Sequence, residues 1–301
     1  MDKAFKWMAV FTTVIMFILM IAGALVTNTG SGMGCGNDWP LCHGKFIPEY
    51  TVETMIEYTH RLITGFAGMV VIVFSVWAWL RYRGNREVKI LSFIGILFIV
   101  IESLLGAAAV MWPQSPSALA LHFGFSLMAF TSVFLLSIFV LQRDKVKELV
   151  KQPVSKGFKV FAWITVIYTY ADIYLGAYVR HSGASLACTD FPKCYPDTFI
   201  PNLTGLAGVH FAHRVAAVIL FFLIIGLLVY SVRHFKETRR DIYVASLIAL
   251  LLVLAQIASG ISVVLTRLNI FSTLAHAGFI TLLFGMLSYI CLQTLKRPEK
   301  M

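Results

Sequence analysis

Charge is scarce in this 301-residue chain. Asp, Glu, Lys and Arg together make up 13% of it, while 58% is hydrophobic. An ordinary globular domain carries about 25% charged residues, so this chain cannot cover a water-facing surface. Cysteine is also sparse at five, which excludes a small disulfide scaffold, and nine prolines with 21 glycines exclude collagen-like and low-complexity chains. Acid is the scarcest charge, with 15 Asp and Glu against 25 Lys and Arg for a net charge of +10. What remains is an all-α integral membrane protein.

Apolar stretches of about 20 residues, the length a span needs, occur at 8–27, 55–80, 90–112, 118–141, 160–179, 210–232, 242–266 and 270–295. Nineteen of the 25 basic residues fall before the first stretch, after the last, or in the loops around 81–89, 143–159 and 233–240. The opposite side has only Lys45, Arg61, Arg180, Lys193, Arg214 and Arg267. The positive-inside rule therefore puts both termini in the cytoplasm. The basic excess is a topology signal with contact to anionic lipid, and nucleic acid is not an expected partner. Lys3 and Lys6 before an apolar run imitate a signal peptide, but the run is too long and lacks a small-residue cleavage site, so a retained anchor is expected.

The chain repeats itself at an offset of 152–154 residues. The loop with Cys35 and Cys42 aligns with the loop holding Cys188 and Cys194, EYTHR (57–61) with HFAHR (210–214), Glu102 and Gly106 with Gln256 and Gly260, and LHFGF (121–125) with AHAGF (275–279). Each half has four spans, an even number, so both enter with the same orientation and the repeat is parallel. The expected fold is two four-helix bundles related by a pseudo-twofold axis along the membrane normal. They comprise residues 1–142 and 159–301, joined by a cytoplasmic linker at 143–158.

Of eight histidines, His43, His181 and His234 lie in loops or at span ends. His60, His122, His210, His213 and His276 all lie near the outer start of an even-numbered span. Each half thus offers two aligned imidazoles at one depth, His60 with His122 and His213 with His276. Ionisable groups in a bilayer are costly and usually functional. Zinc sites ordinarily want four ligands, whereas two imidazoles on facing helices suit a haem iron. Gly106, Gly124, Gly260 and Gly278 would let a flat macrocycle approach, although taken alone these small residues are better explained by helix packing. Arg61 and Arg214 each follow a ligand candidate. A guanidinium there either binds a haem propionate or snorkels to the headgroups.

The halves differ at one telling place. Glu57 precedes His60 by three residues, whereas the residue three before His213 is His210. A carboxylate beside a haem edge can take or give protons, and an acid at a helix N-terminus is also favoured by the dipole alone. The N-terminal half is therefore the expected reacting site, and the C-terminal half the one that only holds its haem. Glu102 and Asp172, within spans, are further candidates for proton handling or else paired structural polar groups; Asp172, with no acidic counterpart in the first span, ranks below Glu102. The four outer-loop cysteines face an oxidising compartment. Their spacing allows one local disulfide per loop, Cys35–Cys42 and Cys188–Cys194, while pairing across the halves is not excluded. The bonds read either as staples or, for the N-terminal pair, as a redox relay. Cys291, near the cytoplasmic end of the last span, reads as an inert core thiol.

These residues together resemble haem A synthase in its short bacterial form, over essentially the whole chain. The resemblance implies oxidation of a ring methyl of haem O to a formyl group by successive hydroxylations and dehydration, with a b haem carrying electrons away. It makes His60 and His122 axial ligands of the substrate haem and His213 and His276 ligands of haem b. It makes Glu57 the essential acid, with Cys35 and Cys42 its loop pair; Cys188 and Cys194 do not occur in every member. It implies haem O synthase and cytochrome oxidase or its assembly factors as partners, an electron acceptor that leaves no mark in the sequence, and haem sites toward the extracytoplasmic face of a bacterial cell membrane. The rival reading is a di-haem b cytochrome that only transfers electrons; it leaves Glu57, present in one half only, without a purpose.

Overall fold

The structure is a computed structural model describing residues 3–112, 115–143, 149–150 and 152–296. Within these residues eight helices are long and apolar enough to cross a membrane: α1 Lys3–Thr29, α2 Val52–Arg81, α3 Arg86–Met111, α4 Pro116–Gln142, α5 Lys156–His181, α6 Gly205–His234, α7 Arg240–Leu265 and α8 Ile270–Thr294. Among them there is no β-strand; the two isolated bridges, Cys42–Lys45 and Tyr195–Thr198, close turns in the outer loops. The 143–158 linker lies partly outside the described residues, as do both termini.

Hydrogen-bonding side chains set several helix starts. Thr51 accepts from Thr54 N at 3.2 Å to begin α2, Asn85 from Val88 N at 3.1 Å to begin α3, and Ser155 from Phe158 N at 3.2 Å to begin α5. Each satisfies an orphan N–H of a first turn. Glu53 and Glu87 add negative charge in the first turns of α2 and α3, where the dipole favours it. Two odd helices stop at glycine. Gly30 after α1 and Gly183 after α5 adopt φ of 69° and 77°, a left-handed conformation that glycine enters without a Cβ penalty.

Two compact units divide the chain. One runs to Val140 and includes Leu268–Gly278; the other comprises Leu141–Arg267 and the chain from Phe279. In the first, α2 packs against α1 and α3, and in the second α6 packs against α5 and α7. α4 is the most enclosed helix of its unit, with 72% of its apolar window buried against 22–33% for α1, α2 and α3. Helix seams carry small hydroxyls: Thr13 donates to Ser137 at 2.8 Å between α1 and α4, and Ser231 and Ser246 meet at 2.9 Å between α6 and α7. Large apolar side chains such as Phe11, Ile18, Ile167, Phe222 and Leu251 point outward. In lipid, tails solvate these groups, and association relies on packing and hydrogen bonds.

A buried ion pair tethers α7. Arg239, wholly buried, donates through Nε and Nη2 to Asp241 at 3.1 and 2.8 Å, and through Nη2 to the Gln293 carbonyl of α8 at 3.0 Å. Removing one partner of such a pair leaves an uncompensated charge at a cost of about 3–5 kcal/mol. The Asp241→Ala protein is thus expected to unfold at distinctly lower temperature in detergent, with Asp241→Asn between it and the unsubstituted protein.

Candidate active site

In the first unit the chain leaves α1 at Gly30, makes a short 3-10 turn over Ser31–Met33 and enters a loop closed by the Cys35–Cys42 disulfide. One face of α2 receives this loop. Thr54 donates to the Gly34 carbonyl at 2.6 Å, and the Cys35 N–H donates to Glu57 Oε2 at 2.8 Å. Arg61, one turn on, donates Nη1 to the carbonyls of Asp38 and Leu41 at 2.7 and 2.8 Å. Its Nε donates to Glu57 Oε1 at 3.1 Å, and Nη2 reaches the same oxygen. Glu57 is only 3% exposed. Acid and guanidinium therefore form one latch between α2 and the disulfide loop. Further out, the Lys45 ammonium beside exposed Glu49 holds that carboxyl below the usual carboxylate range.

The second unit repeats the construction with one exchange. A 3-10 turn over Ala184–Leu186 leads into the Cys188–Cys194 loop. The Cys188 N–H points at His210 Nδ1 at 3.3 Å, and the same nitrogen lies 3.0 Å from the Ala184 carbonyl. Nδ1 satisfies one of these contacts in each tautomer. Arg214 donates to the carbonyls of Lys193 and Cys188 at 3.1 and 3.3 Å, with its guanidinium 5.9 Å from the Phe191 ring. Even the cis peptides recur, at Trp39–Pro40 and Phe191–Pro192. Cys35 and Cys188, Glu57 and His210, and Arg61 and Arg214 are each 153 residues apart. The acid is the element that does not repeat.

His60, His122, His213 and His276 are all half-buried. His60 and His122 stand within electrostatic reach of each other. A Cβ on Gly23 of α1 would come 3.3 Å from His60 Nε2, and one on Gly106 of α3 would come 3.5 Å from His122 Cε1. His122 Nδ1 is buried without a hydrogen-bond partner, which in a native protein calls for a missing ligand or water. In the second unit His213 Nδ1 lies 2.8 Å from Asp172 Oδ1 on α5, and a Cβ on Gly176 would come 2.8 Å from its Cε1. His276 lies on the Leu268–Gly278 segment that belongs to the first unit, where Gly278 faces Ile21 and Phe17 of α1. Glu102 is buried on α3, one turn below Gly106, with Oε2 unpartnered. Among the described residues no three His, Cys, Asp or Glu converge on one point, as a protein-only tetrahedral metal site would require. Imidazoles set against bare glycine backbone, one with an orphaned nitrogen, fit a haem.

Sequence reasoning did not find Gly23 and Gly176 beside the ligands, nor the Asp172–His213 contact, nor the use of both arginines on loop carbonyls. The glycines were detectable, since they stand 153 residues apart and so belong to the repeat.

A family model described as cytochrome oxidase assembly protein matches residues 6–288. The chain is 43% identical over 297 residues to a haem A synthase of Geobacillus kaustophilus, covering 98% of this chain and 93% of that one. It is also 43% identical over 293 residues to a haem A synthase of Bacillus licheniformis, covering 97% and 96%. To a haem A synthase of Alkalihalophilus pseudofirmus it is 42% identical over 300 residues, covering 99% and 100%.

Proposed function

The chain belongs to the family of cytochrome oxidase assembly proteins, and from that premise we propose that it is a haem A synthase, a multi-pass membrane oxidoreductase that converts the ring methyl of haem O to a formyl group. Two successive two-electron hydroxylations take the methyl to a gem-diol, and loss of water leaves the aldehyde. The observation that carries the division of labour is the exchange of Glu57 for His210 within an otherwise repeated latch. Only the first half places an acid there. Glu57 is accordingly the group that accepts a proton as the methyl carbon is oxidised, in the N-terminal half.

His60 and His122 hold the substrate haem in this reading, and His213 and His276 hold haem b. A b haem, when bound, would supply a one-electron acceptor for the electrons removed from the methyl. Arg61 and Arg214 place positive charge at the outer ends of α2 and α6, which favours the anionic propionate edge of a haem. Cys35 and Cys42 complete the reacting site by holding the loop whose Cys35 N–H orients Glu57. The duplicated segments support one four-helix repeat in each of 1–142 and 159–301. The basic residues around 81–89, 143–159 and 233–240 support cytoplasmic termini, and the histidines near the outer starts of even-numbered spans support haem sites toward the extracytoplasmic face. Haem O synthase would supply the substrate, and the oxidase or its assembly factors would take the product.

Pigment extracted from protein purified from haem O-supplied cells tests this. The unsubstituted protein is expected to contain haem A or its hydroxylated precursor. Glu57→Ala should contain haem O and haem b, with product formation down by about a hundredfold or more, the scale of a lost general acid–base. If both proteins hold only unmodified haem b with one spectrum, the chain is an electron-transfer cytochrome instead.

A further inference from the structure

The two units treat their α2 and α6 histidines differently. In the second unit α5 grips the His213 ring at two points one turn apart. Asp172 Oδ1 lies 2.8 Å from Nδ1, and the backbone at Gly176 lies so close that a Cβ there would stand 2.8 Å from Cε1 and 3.0 Å from Nε2. A carboxylate only accepts, so the proton of a neutral ring belongs to Nδ1 and the lone pair to Nε2. In the first unit the positions 153 residues earlier are Leu19 and Gly23. The glycine contact recurs, with a Cβ on Gly23 reaching 3.3 Å from His60 Nε2, but Leu19 is buried and has no hydrogen-bonding side chain. The bare backbone is shared by both halves, and the carboxylate is particular to one.

We propose that Asp172 is a positioning residue that makes the haem on His213 a resident one, while the lack of its counterpart at Leu19 leaves His60 as the ligand of a haem that comes and goes. A carboxylate behind a ligating imidazole fixes the ring, raises its basicity, and strengthens metal binding by about 10–100-fold where it has been removed and compared. It also favours the oxidised iron and lowers the reduction potential. A substrate site must release its product and gains nothing from such a partner. This inference rests on the assignment of haem b to His213.

The test uses the whole purified protein with Asp172→Leu, which copies the first half, and Asp172→Asn, whose carbonyl still accepts from Nδ1. Haem transfer to excess apomyoglobin and a spectroelectrochemical titration are followed for each. Asp172→Leu is expected to lose haem b about 10–100-fold faster and to show a raised midpoint potential, with Asp172→Asn between it and the unsubstituted protein. Unchanged dissociation and potential in Asp172→Leu would overturn the inference and leave the synthase reading intact. If Asp172→Leu does not accumulate, an unshifted potential in Asp172→Asn overturns it as well. An unsubstituted protein without haem b would overturn both readings.

Discussion

Arg61→Ala is expected to release the Cys35–Cys42 loop from α2 and to destabilise the first unit by about 3–5 kcal/mol, the cost of leaving one member of a buried ion pair behind. Arg61 and Glu57 side chains are 13% and 3% exposed, so solvent cannot take over the lost partner. The carbonyls of Asp38 and Leu41 lose their donors in the same substitution. Arg61→Lys is expected to rescue little, because one ammonium cannot replace a fork that spans a carboxylate and two carbonyls. Arg214→Ala is the internal comparison. It removes bonds to Lys193 and Cys188 carbonyls, but the group beneath it is His210, and an imidazole is not obliged to carry charge at neutral pH. The expected loss there is about 2 kcal/mol, the worth of hydrogen bonds from a charged donor. The cysteine sulfurs are buried in both loops, so the rate at which mild reductant opens each disulfide, read by alkylation and peptide mass, reports each latch separately. Arg61→Ala should accelerate Cys35–Cys42 far more than Arg214→Ala accelerates Cys188–Cys194. Equal acceleration would mean that the buried acid adds nothing to the latch.

That comparison was only partly legible in the sequence. The spans were, because a 20-residue apolar run is dictated by bilayer thickness. All of the helices but α8 nevertheless begin earlier than hydropathy places them. α2 starts at Val52 where the apolar run starts at 55, and α5 at Lys156 where it starts at 160. Hydropathy reports contact with lipid, whereas Thr51 and Ser155 start a helix by accepting a hydrogen bond in the polar layer. The Glu57–His210 difference was visible because position 210 can be read against 57. Its meaning was not, since both groups address the backbone N–H of a cysteine 22 positions away, and a backbone donor leaves no residue-specific trace. The arginines were obscure for the same reason, because any residue at 38, 41 or 193 offers a carbonyl. Asp172 and His213 are 41 positions apart on different helices. Only the comparison of 172 with 19 marks that contact, as a charge where the repeat has leucine.

Gly34→Ala is expected to abolish haem A formation although it alters the identity of no side chain of the site. The conformation at Gly34 is ordinary, with φ −62° and ψ −21°, so the requirement is for space. A Cβ there would lie 2.5 Å from the carbonyl carbon and oxygen of Glu53 and 2.7 Å from Thr54 N. These are backbone atoms in the first turn of α2 and cannot rotate aside, so the substitution belongs at or beyond the upper end of overpacking costs, about 3 kcal/mol. The Gly34 carbonyl also accepts from Thr54 Oγ1 and lies 3.0 Å from His43 Nε2. Pushing the loop outward therefore breaks those contacts and carries the Cys35 N–H away from Glu57. The second half has Ala187 at the equivalent position, so this closeness belongs to the reacting half and not to the loop design in general. Gly84→Ala, with no heavy atom within 4 Å of its Cβ, is the control and should behave as the unsubstituted protein. Gly34→Ala should combine the haem O accumulation expected of Glu57→Ala with rapid reduction of Cys35–Cys42. Activity retained alongside rapid reduction would show that the acid works without the loop held against it, and would confine Glu57 to a role independent of the latch.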